Sequence, residues 1–190
     1  IIDYPSEELL FNIIGACYSE IGPIESAISS FNKAISLKSD YEEAHYNLGV
    51  AFQRLPQLNE ALNCYKKAIS IKHAYPTAHN NLGLIYLHQC ELGSALKSFE
   101  WAIAYAPEYA EAHNNLGAVF QELKNYDKAL IQFNKAVSLN PSYAQALHNL
   151  GIISEILGRS DEALNYYEKA VSYNPNFAEA YRNLSKVKKF

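Results

Sequence analysis

A repeat of constant length constrains this chain more than any other feature of its sequence. The six residues 78–83, AHNNLG, recur letter for letter at 112–117, and weaker copies stand at 44–49, 146–151 and 180–185. Glycines close the successive motifs at an interval of 34 residues (49 − 15 = 34), namely Gly15, Gly49, Gly83, Gly117 and Gly151. A fixed period without insertions is typical of a solenoid, in which each unit packs only against its neighbours.

Each unit contains two segments with apolar residues at helical spacing. In the fourth unit, 110–122 and 126–139 both carry an apolar residue every three or four positions, and Pro141 ends the second segment because proline lacks an N–H. We therefore predict a helix A, a short turn and a helix B in every unit. The predicted domain is a single array of repeats at 8–41, 42–75, 76–109, 110–143 and 144–177, followed by a polar capping helix at 178–190 that contains Lys186, Lys188 and Lys189. Truncation of a longer array is the alternative explanation of that last helix.

Small residues recur inside both helices. A glycine in a helix interior costs about 1 kcal/mol relative to alanine, so five glycines in register on helix A require a physical reason. We predict that the backbone of helix A approaches helix B closely at these positions. We expect bulky residues to fill the space between the small ones, and on helix B these are Phe31, Tyr65, Phe99, Phe133 and Tyr167.

The pattern of the fourth unit resembles that of a known family. The tetratricopeptide repeat pattern is W-x2-L-G-x2-Y, then A-x3-F, then P, with a period of 34 residues. Here Leu116, Gly117 and Phe120 match its first part, and Phe133 and Pro141 match its second. The resemblance implies an all-α, right-handed superhelical solenoid in which helix A lines the concave side. The family's first Trp is replaced by other residues, among them His45, His79 and His113.

Composition excludes several functional classes. The net charge of −4 is of mixed sign along the chain and gives no basic surface for nucleic acid. No apolar run approaches the roughly 20 residues that span a bilayer, so we predict no membrane insertion. The three cysteines are far apart, and the start Ile1-Ile2-Asp3 has no basic segment of a secretion signal. We therefore predict an intracellular, cytoplasmic location, and the abrupt start indicates a piece of a longer protein.

One column of polar residues stands out on helix A. An asparagine comes immediately before the core leucine in five units, and we call this set the asparagine column: Asn47, Asn81, Asn115, Asn149 and Asn183. The residue before each of them is the flanking position, which holds Tyr46, Asn80, Asn114, His148 and Arg182, with Asn12 at the same place in the first unit. By the resemblance, both positions lie exposed on the concave side.

The asparagine column suggests a way of binding a peptide. A primary amide offers two donors and an acceptor, so it can pair with the N–H and C=O of a peptide unit without reading a side chain. Units stacked at roughly 10 Å would meet an extended chain, which rises about 3.3 Å per residue, at every third residue. The apolar residues Leu84, Ala118 and Ile152 stand two positions after the core leucine of their units, and they would form the floor of the groove. The column is similar to that of the peptide-binding arrays in O-linked N-acetylglucosamine transferases. The alternative is that the asparagines cap turns or order water.

Other chemistry has little support in the sequence. Serine-hydrolase, phosphate-loop and zinc-protease motifs are missing, so we predict no catalytic residue, no metal site and no cofactor. His45, His79 and His113 lie one unit apart, too far to share a zinc ion, and we expect them to pack between helices. A carboxylate clamp would need asparagine where Val50 and Leu84 stand.

The sequence therefore predicts a non-enzymatic protein-interaction scaffold that binds an extended segment of a protein partner in its concave groove. Two alternatives stay open. The array could be the substrate-recruiting arm of a larger enzyme such as a glycosyltransferase, or it could self-associate end to end as a structural scaffold.

Overall fold

The computed structural model describes residues 5–188, so the predicted contribution of Lys189 to the capping helix and the sequence start at Ile1–Asp3 lie outside the described residues. The described part contains eleven α-helices and no strand. Their bounds are α1 (Glu7–Ile21), α2 (Ile24–Leu37), α3 (Glu42–Arg54), α4 (Leu58–Ile71), α5 (Pro76–His88), α6 (Leu92–Tyr105), α7 (Ala110–Glu122), α8 (Tyr126–Leu139), α9 (Ala144–Ile156), α10 (Ser160–Tyr173) and α11 (Ala178–Val187).

The chain divides into two compact units between Ile85 and Tyr86. In the first unit, α1 packs against α2, α2 against α3, and α3 against α4. In the second unit, each helix from α6 to α11 packs against the next one along the chain. Packing between consecutive helices is the architecture of a helical solenoid, and it confirms the predicted all-α fold class.

The turn from helix A to helix B is closed by backbone hydrogen bonds that recur with the repeat. After α7, Lys124 adopts a left-handed conformation with φ 56°, and Gly158 does so after α9 with φ 73°. The Asn125 N–H then donates to Phe120 O at 2.8 Å, and the Lys124 N–H donates to Gln121 O at 2.8 Å. This pair of bonds is the Schellman motif, which satisfies the last carbonyls of a helix and reverses the chain.

The close approach of helix A to helix B is confirmed at four glycines. A Cβ atom built on Gly117 would lie 2.6 Å from Cε1 of Phe133, and one built on Gly151 would lie 2.5 Å from Cε1 of Tyr167. Gly15 and Gly49 meet Phe31 and Tyr65 in the same way. Each ring therefore occupies the space that any larger residue on helix A would need.

Alanines fill the remaining close contacts on helix B. Ten of them are fully buried, in two sets that recur at the repeat length: Ala27, Ala61, Ala95, Ala129, Ala163, Ala34, Ala68, Ala102, Ala136 and Ala170. In the second unit, Phe133 packs in one apolar cluster with Leu116, Val119 and Leu150. The core is thus built repeat by repeat and holds each helix A at a fixed distance from its neighbours.

Candidate functional site

The asparagine column lies on helices α3, α5, α7, α9 and α11, and each member comes directly before a buried leucine. Asn149 is buried, whereas the other four side chains are half-buried. The leucine anchors helix A in the core, so the preceding asparagine is held at the edge of the packed interface.

Two asparagines of the column donate to an asparagine of the preceding helix A. Asn47 Nδ2 donates to Asn12 Oδ1 at 3.0 Å, and Asn149 Nδ2 donates to Asn114 Oδ1 at 3.0 Å. In both pairs the residues are 35 positions apart, so the bond joins a column asparagine to the flanking position one repeat earlier. We call this contact the inter-repeat hydrogen bond.

The same contact occurs with other acceptors. Asn81 Nδ2 lies 3.3 Å from Tyr46 Oη and 3.3 Å from Tyr65 Oη, and Asn183 Nδ2 lies 3.1 Å from His148 Nε2. Asn115 differs, because its Oδ1 accepts from Asn114 Nδ2 of the same helix at 3.3 Å. The column is therefore part of the contact between successive helices A as well as of their surface.

At the flanking position Arg182 is exposed as expected, but the expectation is wrong at the other residues, among them Asn12, which is buried. Asn80, Asn114 and His148 are buried, and Tyr46 is half-buried with its ring centroid 5.0 Å from that of Tyr75. The physical reason is that Asn114 and His148 face the following helix A and accept its inter-repeat hydrogen bond. Asn149 of the column was also expected to be exposed and is buried. A contact of any of these residues with a peptide stays a prediction.

Part of the amide is left for a ligand at two members of the asparagine column. Among the described residues, Asn47 and Asn183 use one N–H in the inter-repeat hydrogen bond, and no bond is made by the Oδ1 atom of either. The Oδ1 atom of Asn149 accepts from Gln145 Nε2 at 3.3 Å. Leu84 is 37% exposed, and Ala118 and Ile152 are half-buried. The arrangement can offer amide groups beside small apolar patches, as a surface that binds the main chain of a peptide requires.

Three histidines at the same place in successive repeats contact the loop that precedes helix A. The Nε2 atoms of His45, His79 and His113 lie 3.1, 2.9 and 3.0 Å from the carbonyl oxygen six residues earlier. His79 and His113 are buried, as expected of packing residues, whereas His45 is half-buried. Burial lowers the pKa of His79, so this ring stays neutral near neutral pH. In the described part of the chain, no group of three or more His, Cys, Asp or Glu residues is placed to hold a metal ion.

Two buried tyrosines make contacts that sequence reasoning did not predict. Tyr167 Oη donates to Glu155 Oε2 at 2.9 Å, and Tyr65 Oη donates to Gln53 Oε1. Burial raises the pKa of both phenols far above its ordinary value, so the hydroxyls stay protonated. The signal in the sequence was the Gln or Glu that stands 12 residues before each tyrosine.

The helix pairs and the column on helix A define a helical-repeat protein. Residues 108–176 match a family model described as "Tetratricopeptide repeat", and residues 16–55 and 57–89 match one described as "TPR repeat". The chain belongs to the tetratricopeptide repeat family. Repeats of this kind present extended surfaces to protein ligands, so the chain is a protein-interaction scaffold.

Solved structures share this fold. A MamA protein is 26% identical, with 90% of this chain and 94% of that chain covered and a TM-score of 0.76. Pseudomonas aeruginosa PilF is 22% identical, with 96% and 83% covered and a TM-score of 0.87. YrrB, a TPR protein with an unusual peptide-binding site, is 21% identical, with 97% and 93% covered and a TM-score of 0.76. No curated protein sequence matches the chain.

The similarity of the asparagine column to those of O-linked N-acetylglucosamine transferase arrays stays a prediction. None of the helices in the described residues is long and apolar enough to cross a membrane.

Proposed function

We propose that the helix-A face of each unit binds an extended segment of a protein partner. We define the helix-A face as the surface formed by the asparagine column and the residue three positions after each asparagine. The first unit contributes Asn47 and Asn81, and the second contributes Asn115, Asn149 and Asn183. The observation that carries the proposal is that four of these five amides are half-buried rather than enclosed in the packing between helices.

The inter-repeat hydrogen bond supports this function because it orders the amide in advance. An asparagine whose carboxamide is already held by Asn12 or Asn114 loses little rotamer freedom when a peptide binds. The same bond changes the proposed contact. Asn47, for example, offers the peptide one N–H and its carbonyl oxygen, because its other N–H is engaged by Asn12 of the preceding repeat.

Spacing and polarity favour an extended peptide. If helices A of adjacent repeats lie roughly 10 Å apart, their asparagines would contact every third residue of an extended chain, which rises about 3.3 Å per residue. Leu84 in the first unit and Ala118 and Ile152 in the second would contact small apolar side chains between the backbone contacts. The peptide-binding site of YrrB is consistent with this use of the fold, although the identity of 21% extends to fold alone.

A charge placed on the helix-A face is expected to weaken peptide binding at least about tenfold, which corresponds to about 1.4 kcal/mol. The variants are Leu84→Lys in the first unit and Ala118→Lys in the second, because neither side chain takes part in an inter-repeat hydrogen bond. The probe is a 12-residue peptide selected from a random displayed library against the wild-type protein. Its affinity for wild type and variants is measured by fluorescence anisotropy.

Ile131→Lys on α8 is the matched control, since this side chain is 63% exposed on a helix B. It adds the same charge away from the helix-A face and should leave the affinity unchanged. If Ile131→Lys weakened binding while both helix-A variants bound as wild type, the proposed surface would be wrong. A library that yields no binding peptide would contradict peptide recognition itself.

A further inference from the structure

The contact between α9 and α11 contains a titratable group where neighbouring repeats have neutral ones. His148 is only 3% exposed, and its Nε2 atom lies 3.1 Å from Asn183 Nδ2 on α11. Two rings enclose it, with the Phe177 centroid at 4.8 Å and the Tyr167 centroid at 5.6 Å. At the same flanking position, Asn12 and Asn114 accept the inter-repeat hydrogen bond through a neutral amide oxygen.

The second nitrogen of this ring has no partner. His148 Nδ1 is buried and makes no hydrogen bond in the described part of the chain. A neutral imidazole has one N–H and one acceptor nitrogen, whereas the charged ring has two N–H donors and needs two acceptors. No acceptor faces Nδ1, and the group that faces Nε2 is the N–H of Asn183, so protonation places a buried positive charge beside a donor.

The groups that face the ring do not compensate for that charge. On α10, the Tyr167 phenol stays neutral because burial raises its pKa. On α11, Asn183 is neutral, and Glu179 is the carboxylate whose negative charge favours protonation. Burial outweighs Glu179, so the net effect is a lowered pKa for His148.

The direction of the pH effect follows from this shift. When α11 is detached, the ring is in water and titrates near its ordinary value of about 6.5. When α11 is packed, the pKa is lower, so the detached state binds the proton first as the pH falls. The packing of α11 is therefore fully stable above about pH 6.5 and weakens as the pH falls through the lowered pKa.

We propose that the His148–Asn183 contact is a pH-sensitive switch that holds α11 on the second unit at neutral pH and releases it in mild acid. Release of α11 would remove Asn183 from the helix-A face and expose Leu147, which packs with Ala170 and Ala180. The inference does not depend on what the helix-A face binds.

Hydrogen exchange of the backbone amides in α11 tests the switch. Between pH 7.5 and pH 5.0, after correction for intrinsic exchange rates, we expect protection in α11 to fall at least about tenfold. The variant His148→Asn installs the neutral amide found at Asn12 and Asn114, and its α11 protection should be independent of pH. Amides of α7, which lie in the same samples, should keep their protection in both proteins.

A pH-independent α11 in the wild type would overturn the proposal, as would an equal acid-induced loss in His148→Asn. Nuclear magnetic resonance titration of the His148 ring gives a reading that does not require the variant to fold. The ring should titrate below its ordinary pKa, and the loss of α11 protection should begin near pH 6.5 and level off below the midpoint of that titration. Titration at or above the ordinary value would also overturn the proposal.

Discussion

Gly117→Ala is expected to lower the free energy of unfolding by about 2 kcal/mol, although alanine is the better helix former by about 1 kcal/mol. The new Cβ atom would lie 2.6 Å from Cε1 and 2.7 Å from Cδ1 of Phe133. That ring is fully buried in one cluster with Leu116, Val119 and Leu150, so a shift of the ring would disturb their packing. Guanidinium-induced unfolding followed by circular dichroism measures the effect.

Gly93→Ala is the matched control, because a Cβ atom on Gly93 of α6 would meet nothing within 4 Å. The same substitution should there raise the stability, by at most about 1 kcal/mol. Adding Phe133→Leu to Gly117→Ala should cost less than the sum of the two single changes, because the smaller side chain removes the clash. Equal effects at Gly93 and Gly117 would contradict the proposed close approach.

Asn149→Ala is expected to lower the free energy of unfolding by about 2 kcal/mol, because it leaves the buried carbonyl oxygen of Asn114 without its donor. The pair Asn149→Ala and Asn114→Ala forms a double-mutant cycle across the inter-repeat hydrogen bond. The double variant should be more stable than the sum of the single effects predicts, with a coupling of about 1 kcal/mol. Denaturant unfolding of the four proteins supplies the cycle.

Asn165→Ala on α10 is the control for loss of an asparagine as such, since this side chain is exposed. Its effect should stay within about 0.5 kcal/mol. If the coupling between Asn114 and Asn149 were zero, the inter-repeat hydrogen bond would contribute nothing, and the column would be ordinary surface.

The helix pairs and their close contacts could be predicted from the sequence because they depend on local rules. Proline and glycine mark helix ends, and the cost of a glycine such as Gly117 inside a helix indicates a neighbour that needs the space. The facing ring of Phe133 lies at a constant separation of 16 residues (133 − 117 = 16) from its glycine. Because the same local contacts recur in every repeat, predicting one repeat is enough to predict the fold of the array.

The direction of the flanking side chains could not be predicted in the same way. Whether Asn114 or His148 faces solvent or the next helix A depends on the stacking angle between repeats, which no single repeat encodes. A signal was nevertheless present. The residue 35 positions before Asn47, Asn149 and Asn183 is in each case a hydrogen-bond acceptor, namely Asn12, Asn114 or His148. A search for donor and acceptor residues separated by 35 positions, one more than the repeat length, would have indicated the inter-repeat hydrogen bond.

The most direct test of the account follows the two Nδ2 protons of Asn47 in a nitrogen-15-labelled protein. We predict that one proton exchanges slowly with water because it is bonded to Asn12 Oδ1 at 3.0 Å, whereas the other exchanges as fast as those of the exposed Asn32. A bound peptide should shift only the fast proton. If both protons exchanged as fast as those of Asn32, the inter-repeat hydrogen bond, and with it the pre-ordered binding surface, would be contradicted.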